Sequence, residues 1–174
     1  GLSSVFFIDE NTGFISGGFN RKKTLKTIDG GASWQEVITQ EFGQIQFLNN
    51  QVGFAHRIGY SGGRMYKTTD GGNTWNININ VDEEINSFHF LDENNGYFVG
   101  DNSLMYKTKN GGITWEKLTV PYGYYTNIKF YSKNVGYIIT EYEQMYKTIN
   151  GGISWENLTG ITANTPSFVD KTIY

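Results

Sequence analysis

The chain has 174 residues, enough for a domain with a real apolar core, and its 14 basic and 17 acidic residues leave a net charge of −3. That balance argues against a nucleic-acid-binding surface spread over the whole domain, and no run of 18 apolar residues is present to cross a membrane as a helix. Cysteine is absent, which excludes disulfide staples, thiol catalysis and cysteine-ligated zinc, while 22 Gly, 12 Tyr, 12 Phe and 4 Trp against 2 Pro suit short aromatic strands joined by tight turns.

Taken in chain order, the sequence is one unit repeated. The first copy, about residues 4–40, opens with Val5-Phe6-Phe7-Ile8-Asp9, continues with Gly13-Phe14, and reaches the segment Lys26-Thr27-Ile28-Asp29-Gly30-Gly31-Ala32-Ser33-Trp34. The second, about 44–80, has Ile45-Gln46-Phe47-Leu48-Asn49, Gly53-Phe54 and the segment Lys67 to Trp75. The third, about 86–120, has Phe88-His89-Phe90-Leu91-Asp92, Gly96-Tyr97 and the segment Lys107 to Trp115. The fourth, about 126–160, has Ile128-Lys129-Phe130-Tyr131-Ser132, Gly136-Tyr137 and the segment Lys147 to Trp155. Residues 166–174, from Pro166 to Tyr174, read as the opening strand of a further repeat. Spacings of 41, 40 and 40 residues separate Trp34, Trp75, Trp115 and Trp155, and a period near forty matches a four-stranded propeller blade.

Each copy therefore predicts four antiparallel strands, A to D. In the third they fall at about 86–91, 96–100, 103–109 and 114–119, with Asn110-Gly111-Gly112 turning the C–D hairpin through glycines that tolerate positive φ. No segment carries the apolar period of a helix. The fold class is all-β, a propeller-type array of four-stranded blades in which stacking blade on blade buries both faces.

The turn chemistry explains the conserved spacing within the chain. The short polar side chain of Asp29, Asp70, Asn110 or Asn150 can accept backbone N–H bonds in its own turn, and the hydroxyl of Ser33, Thr74, Thr114 or Ser154 can close the other side. Trp34, Trp75, Trp115 and Trp155 then supply a large apolar body between blades. Because two copies carry neutral Asn, these positions read as folding staples, not as catalytic acids or calcium ligands.

These segments resemble the Asp-box, or bacterial neuraminidase repeat, superfamily. Residues 96–115 are most similar to repeats of photosystem II stability/assembly-factor-like propellers; related repeats occur in sialidases, xyloglucan-cleaving glucanases and sortilin-type receptors. The resemblance covers essentially the whole chain. It implies a β-propeller, with the C–D turns on one rim and the B–C and D–A loops on the opposite face. Two departures stand out. The assembly-factor propellers have about six or seven blades, against four repeats here, and an arginine-rich patch, against only Arg21, Arg57 and Arg64. A non-photosynthetic bacterial relative is the expectation, placed in the periplasm or outside the cell.

The repeats diverge most in the B–C and D–A loops, and divergent loops on a rigid scaffold are where binding usually sits. Candidate ligand contacts are His56, Arg57, Tyr60, Arg64, Asp101, Tyr124, Tyr125, Glu141 and Tyr142: tyrosines beside a few charges suit a polar ligand with apolar faces, such as a glycan or an extended peptide. His89, between Phe88 and Phe90, reads as structural, and two distant histidines make no metal site. The lysines at 26, 67, 107 and 147 are expected to lay their stems along the blade edges with their charge in water.

The function read from this is a non-catalytic binding or scaffold module for a protein or glycan, with no cofactor and no metal, either closed by a second copy or continued by further blades. One alternative is a glycoside hydrolase. The sialidase Phe/Tyr-Arg-Ile-Pro motif is absent, but Asp101 and Glu141 occupy equivalent places in adjacent repeats and could flank a sugar bond. The other is a structural repeat segment of a larger surface protein.

Overall fold

In the computed structural model, residues 2–17, 23–57, 59 and 62–158 are described, and among them every regular element is a strand. The opening strand expected at 166–174 lies outside the described residues. Four separate antiparallel sheets follow one another, each with its strands in simple sequential order. Blade 1 is β1 (Leu2–Phe7), β2 (Gly13–Gly17), β3 (Lys23–Thr27) and β4 (Gln35–Ile38). Blade 2 is β5 (Phe42–Phe47), β6 (Gly53–Arg57), β7 (Gly63–Thr68) and β8 (Asn76–Val81). Blade 3 is β9 (Ile85–Phe90), β10 (Gly96–Gly100), β11 (Met105–Thr108) and β12 (Glu116–Lys117), and blade 4 is β13 (Tyr125–Phe130), β14 (Gly136–Thr140), β15 (Met145–Thr148) and β16 (Glu156–Asn157). The blades pack in chain order through their first strands, β1 on β5, β5 on β9 and β9 on β13.

The third blade's strands C and D are shorter than the sequence suggests. Asn102 and Ser103 take positive φ values of 51° and 62°, and Leu104 N–H donates to Asp101 O across them, so the B–C connection is a tight primed hairpin turn that delays β11 to Met105. Thr114 is held by the Asp box and enters no ladder.

The box itself is a closed hydrogen-bond unit. Ser33 N–H donates to Asp29 Oδ1 (2.9 Å), Ser33 Oγ donates to Asp29 Oδ2 (2.6 Å), and the buried Thr27 hydroxyl donates to Asp29 Oδ1 while accepting from Gly31 N–H. Asp70 with Thr74 repeats this arrangement. Where Asn replaces Asp, the bond to the Ser or Thr hydroxyl four residues on reverses: Asn110 Nδ2 donates to Thr114 Oγ1, and Asn150 Nδ2 donates to Ser154 Oγ, both at 2.8 Å. A hydroxyl can take either role, so the turn accommodates both residues. Asp70→Asn is therefore expected to leave Tm within about 2 °C, whereas Asp70→Ala lowers it by roughly 5 °C. Thermal unfolding followed by circular dichroism checks this, and an equal fall in both variants would show that charge, not turn geometry, is what the box supplies.

Each box seats on the A–B turn of its own blade, through the N–H groups of Gly30, Gly71, Gly111 and Gly151 donating to the carbonyls of Asn11, Gln51, Asn94 and Asn134 at 2.9 Å. The Trp that follows meets the last Phe of strand A edge-on, in the pairs Trp34–Phe7, Trp75–Phe47, Trp115–Phe90 and Trp155–Phe130, with centroids 5.8–6.3 Å apart and planes at 81–83°. Glycine at 13, 53, 96 and 136 makes room for that Phe, since an added Cβ would stand 2.4–2.9 Å from its ring.

The joints between blades are equally regular. Phe14 stacks on Phe47, Phe54 on Phe90 and Tyr97 on Phe130, at 5.1, 3.8 and 3.8 Å. Over each first ring sits a lysine, Lys26, Lys67 or Lys107, whose ammonium reaches across to the carbonyl of Gly71, Gly111 or Gly151 in the next blade's box. The lysine heads at these three joints are thus bound to the neighbouring blade instead of left in water. Between β5 and β9, Gln44 and Gln46 each accept from and donate to one backbone residue, Phe88 and Phe90 respectively, which mimics a strand pairing with side-chain amides.

Candidate binding site

At the end of the blades opposite the Asp boxes, a cavity of about 440 Å³ opens between blades 2 and 3, lined by Gly43, His56, Gly59, Glu84, Ile85, Asn86 and Asp101. Its walls come from the start of β5, the end of β6 with the loop after it, the start of β9 with the residue before it, and the turn after β10. The connector from blade 2 is pinned on both sides, because Asp101 N–H at the corner of blade 3 donates to Glu84 O (3.1 Å) and Gly63 N–H of blade 2 donates to Glu83 O (2.8 Å). Gly100 permits that approach: a Cβ there would lie 1.8 Å from Glu84 O. Asn86 completes the frame, its Nδ2 donating to Asp101 Oδ1 (2.8 Å) and to Tyr125 O (3.0 Å), so one amide sets the carboxylate and ties blade 3 to blade 4.

The cavity's electrostatics follow from burial. His56 is 5 % exposed, and desolvation lowers its pKa to about 4, so it is neutral at pH 7; its Nδ1 lies 3.4 Å from Arg57 O. Desolvation also raises the Glu84 carboxyl, with Arg57 pulling it down and Asp101 pushing it up. Glu84 Oε1 is shielded from solvent and has no hydrogen-bond partner among the described residues. The Arg57 guanidinium donates from Nη2 to Gly62 O (2.8 Å) in the blade 2 loop.

Beside the cavity stands a tyrosine cluster. Tyr122 and Tyr124 meet edge-on at 6.5 Å, and Tyr122 and Tyr142 are 79 % and 77 % exposed. Blade 4 repeats the pinned corner, with Glu141 N–H donating to Tyr124 O (2.9 Å), so Tyr124 holds the place that Glu84 holds one blade earlier. The Tyr124 hydroxyl is raised by Tyr122 first, and the charges of Asp101 and Glu141 both add to this. Glu141 raises Tyr142 as hydrogen-bond acceptor and as charge.

Of the residues singled out from sequence, His56 and Asp101 line the cavity, Arg57 adjoins it, and Tyr124, Glu141 and Tyr142 form the neighbouring cluster. Tyr60 lies outside the described residues. Tyr125 is not a loop residue: a bulge between Tyr125 and Asn127 turns it inward, where it is fully buried and its hydroxyl donates to Pro121 O. Arg64 stands within β7 opposite Asn80 and does not line the cavity. Glu84 and Asn86 were missed. Glu84 was visible only as one acid in the run Asp82-Glu83-Glu84, and nothing local distinguishes Asn86. No three His, Asp or Glu side chains among the described residues come close enough to hold a metal ion.

Comparison with solved structures places this geometry among known propellers. A structure of YCF48 bound to D1 peptide superposes with a TM-score of 0.68 at 20 % identity, over 90 % of this chain and 53 % of that one. YCF48 from Cyanidioschyzon merolae gives 0.66 at 20 % identity, over 90 % and 55 %. The GH74 xyloglucanase from Xanthomonas campestris gives 0.71 at 12 % identity, over 89 % and 30 %. The chain spans about half the length of the YCF48 structures it matches. No curated protein sequence matches it. The family model for photosynthesis system II assembly factor YCF48 matches residues 76–167, more than half of the 174, and the chain belongs to that family of Asp-box propellers.

Proposed function

We propose that this chain is a non-catalytic docking module that binds an extended polypeptide segment across its loop face, from the cavity between blades 2 and 3 to the tyrosine cluster on blade 4. The observation that carries the reading is the convergence of Glu84, Asn86, Asp101 and neutral His56 on one cavity beside exposed Tyr122 and Tyr142. Such a surface offers hydrogen bonds to a backbone and flat apolar faces to its side chains. The family supports it, since one relative was solved bound to a peptide. Placement outside the cytoplasm is part of the same proposal and rests on the resemblance to exported Asp-box proteins.

The test is selection of binders from a displayed library of random peptides, followed by anisotropy of labelled hits. Hits with Kd in roughly the micromolar range are expected, weakened about tenfold or more by Asp101→Ala combined with Tyr124→Ala. Failure to select any binder, or hits indifferent to both substitutions, would contradict the proposal.

A further inference from the structure

The geometry points to a more specific occupant: the cavity between blades 2 and 3 takes a cationic side chain, a lysine ammonium or an arginine guanidinium, from the bound polypeptide. This inference rests on the docking reading above and names the chemistry the site selects.

Three observations converge on it. Glu84 Oε1 is cut off from water with no partner among the described residues, a costly state for a carboxylate that a donor entering the cavity would relieve. Asp101 faces the same space, its Oδ1 held in place by Asn86, so a second carboxylate is already oriented. His56, 5 % exposed and uncharged at pH 7, contributes no positive charge to the lining. Among the described residues the cation that acts on Glu84 is Arg57, which directs Nη2 to Gly62 O, and its single charge stands against those of Glu84 and Asp101. An anionic ligand would bring like charge beside two carboxylates, and a neutral amide would leave their charge unmatched. A long cationic side chain matches the field, donates to Glu84 and Asp101, and lays its apolar stem against Ile85. The absence of any three-ligand group among the described residues favours this organic cation over a metal ion.

The site therefore selects the opposite charge from the one an arginine-rich patch would select. Its chemistry is set by two acids that sit one blade corner apart, and Gly100 is what lets them approach.

The experiment titrates acetyl-lysine amide, acetyl-arginine amide and acetyl-norleucine amide into the protein, with NMR observation of the His56 ring and the Glu84 and Asp101 side chains. The two cationic amides are expected to shift these signals with Kd in roughly the millimolar range, as befits a single side chain. Acetyl-norleucine amide leaves them in place, and Glu84→Gln or Asp101→Asn, each checked for folding by circular dichroism, weakens the lysine amide at least tenfold. Equal shifts from norleucine and lysine, or none from either cation at about 50 mM, would overturn the inference. These outcomes separate it from the docking proposal. Peptide hits without Lys or Arg enrichment, combined with silent cationic amides, sink the inference and leave docking intact; cation-specific shifts without any peptide hit do the reverse.

Discussion

Acidification from about pH 7 to pH 5 is expected to remove roughly 4 kcal/mol of folding stability, before any Asp-box carboxylate titrates. The cause is one buried imidazole, His56, and one half-buried imidazole, His89. Desolvation lowers His56 from 6.5 to about 4, and it does the same to His89, where the Lys129 charge adds to the effect. Between those values the unfolded chain binds a proton at each histidine and the folded chain does not, so stability is full above 6.5 and falls as pH drops towards 4. Each histidine contributes about 2 kcal/mol over that two-unit step, a large share of the 5–15 kcal/mol typical of a domain. Asp29 and Asp70, lowered to about 2 by their Ser33 and Thr74 hydroxyls first, lose their contribution only below 3.8. Protonation of His89 also removes the acceptor that Phe130 N–H uses at 3.3 Å, loosening the joint between blades 3 and 4. Urea denaturation at both pH values measures the loss. His56→Val with His89→Gln should flatten it, because Val99 and Gln46 fill the equivalent places in other blades. An unchanged slope in that double variant would show that other groups titrate.

Phe90→Ala is expected to cost about 3–5 kcal/mol, the range for deleting a large buried ring. Phe90 is 2 % exposed, stacks on Phe54 of the preceding blade at 3.8 Å, and receives the edge of Trp115 at 6.0 Å. Its loss opens a void shared by the blade 3 core and the joint to blade 2. Ile113→Ala, at a residue 79 % exposed on the box turn, should change stability by less than about 0.5 kcal/mol. Equilibrium urea unfolding gives both values; a Phe90→Ala loss below about 1 kcal/mol would mean that the stacked rings do not hold the blades together.

What was legible in the sequence was local. The Asp box closes over four residues, so its Asp or Asn, its Ser or Thr and its Trp appear at fixed spacing, and their hydrogen bonds follow from residue type alone. The alternation of Phe47, Phe90 and Phe130 with the glycines that follow was readable for the same reason. Destinations across a joint were not. Lys26 was visible as a member of a ladder, but its acceptor, Gly71 O, lies 45 residues on. The amide pairing of Gln44 and Gln46 depends on how two inner strands face each other, which no spacing reports. Tyr125 looked like a loop aromatic because the bulge that turns it inward has no signature at that position. The binding face was half legible. His56 stood out as a break in an apolar strand pattern, whereas Glu84 and Asn86 acquire meaning only when the blade 3 corner docks on the connector from blade 2.

The most direct test of the central claim, that the loop face docks a polypeptide, is amide hydrogen exchange with and without a selected peptide at saturation. Protection is predicted at residues 83–86, 99–103 and 122–125, with the Asp-box turns at 70–74 and 110–114 unchanged. Protection confined to those box turns, or to neither face, would contradict it.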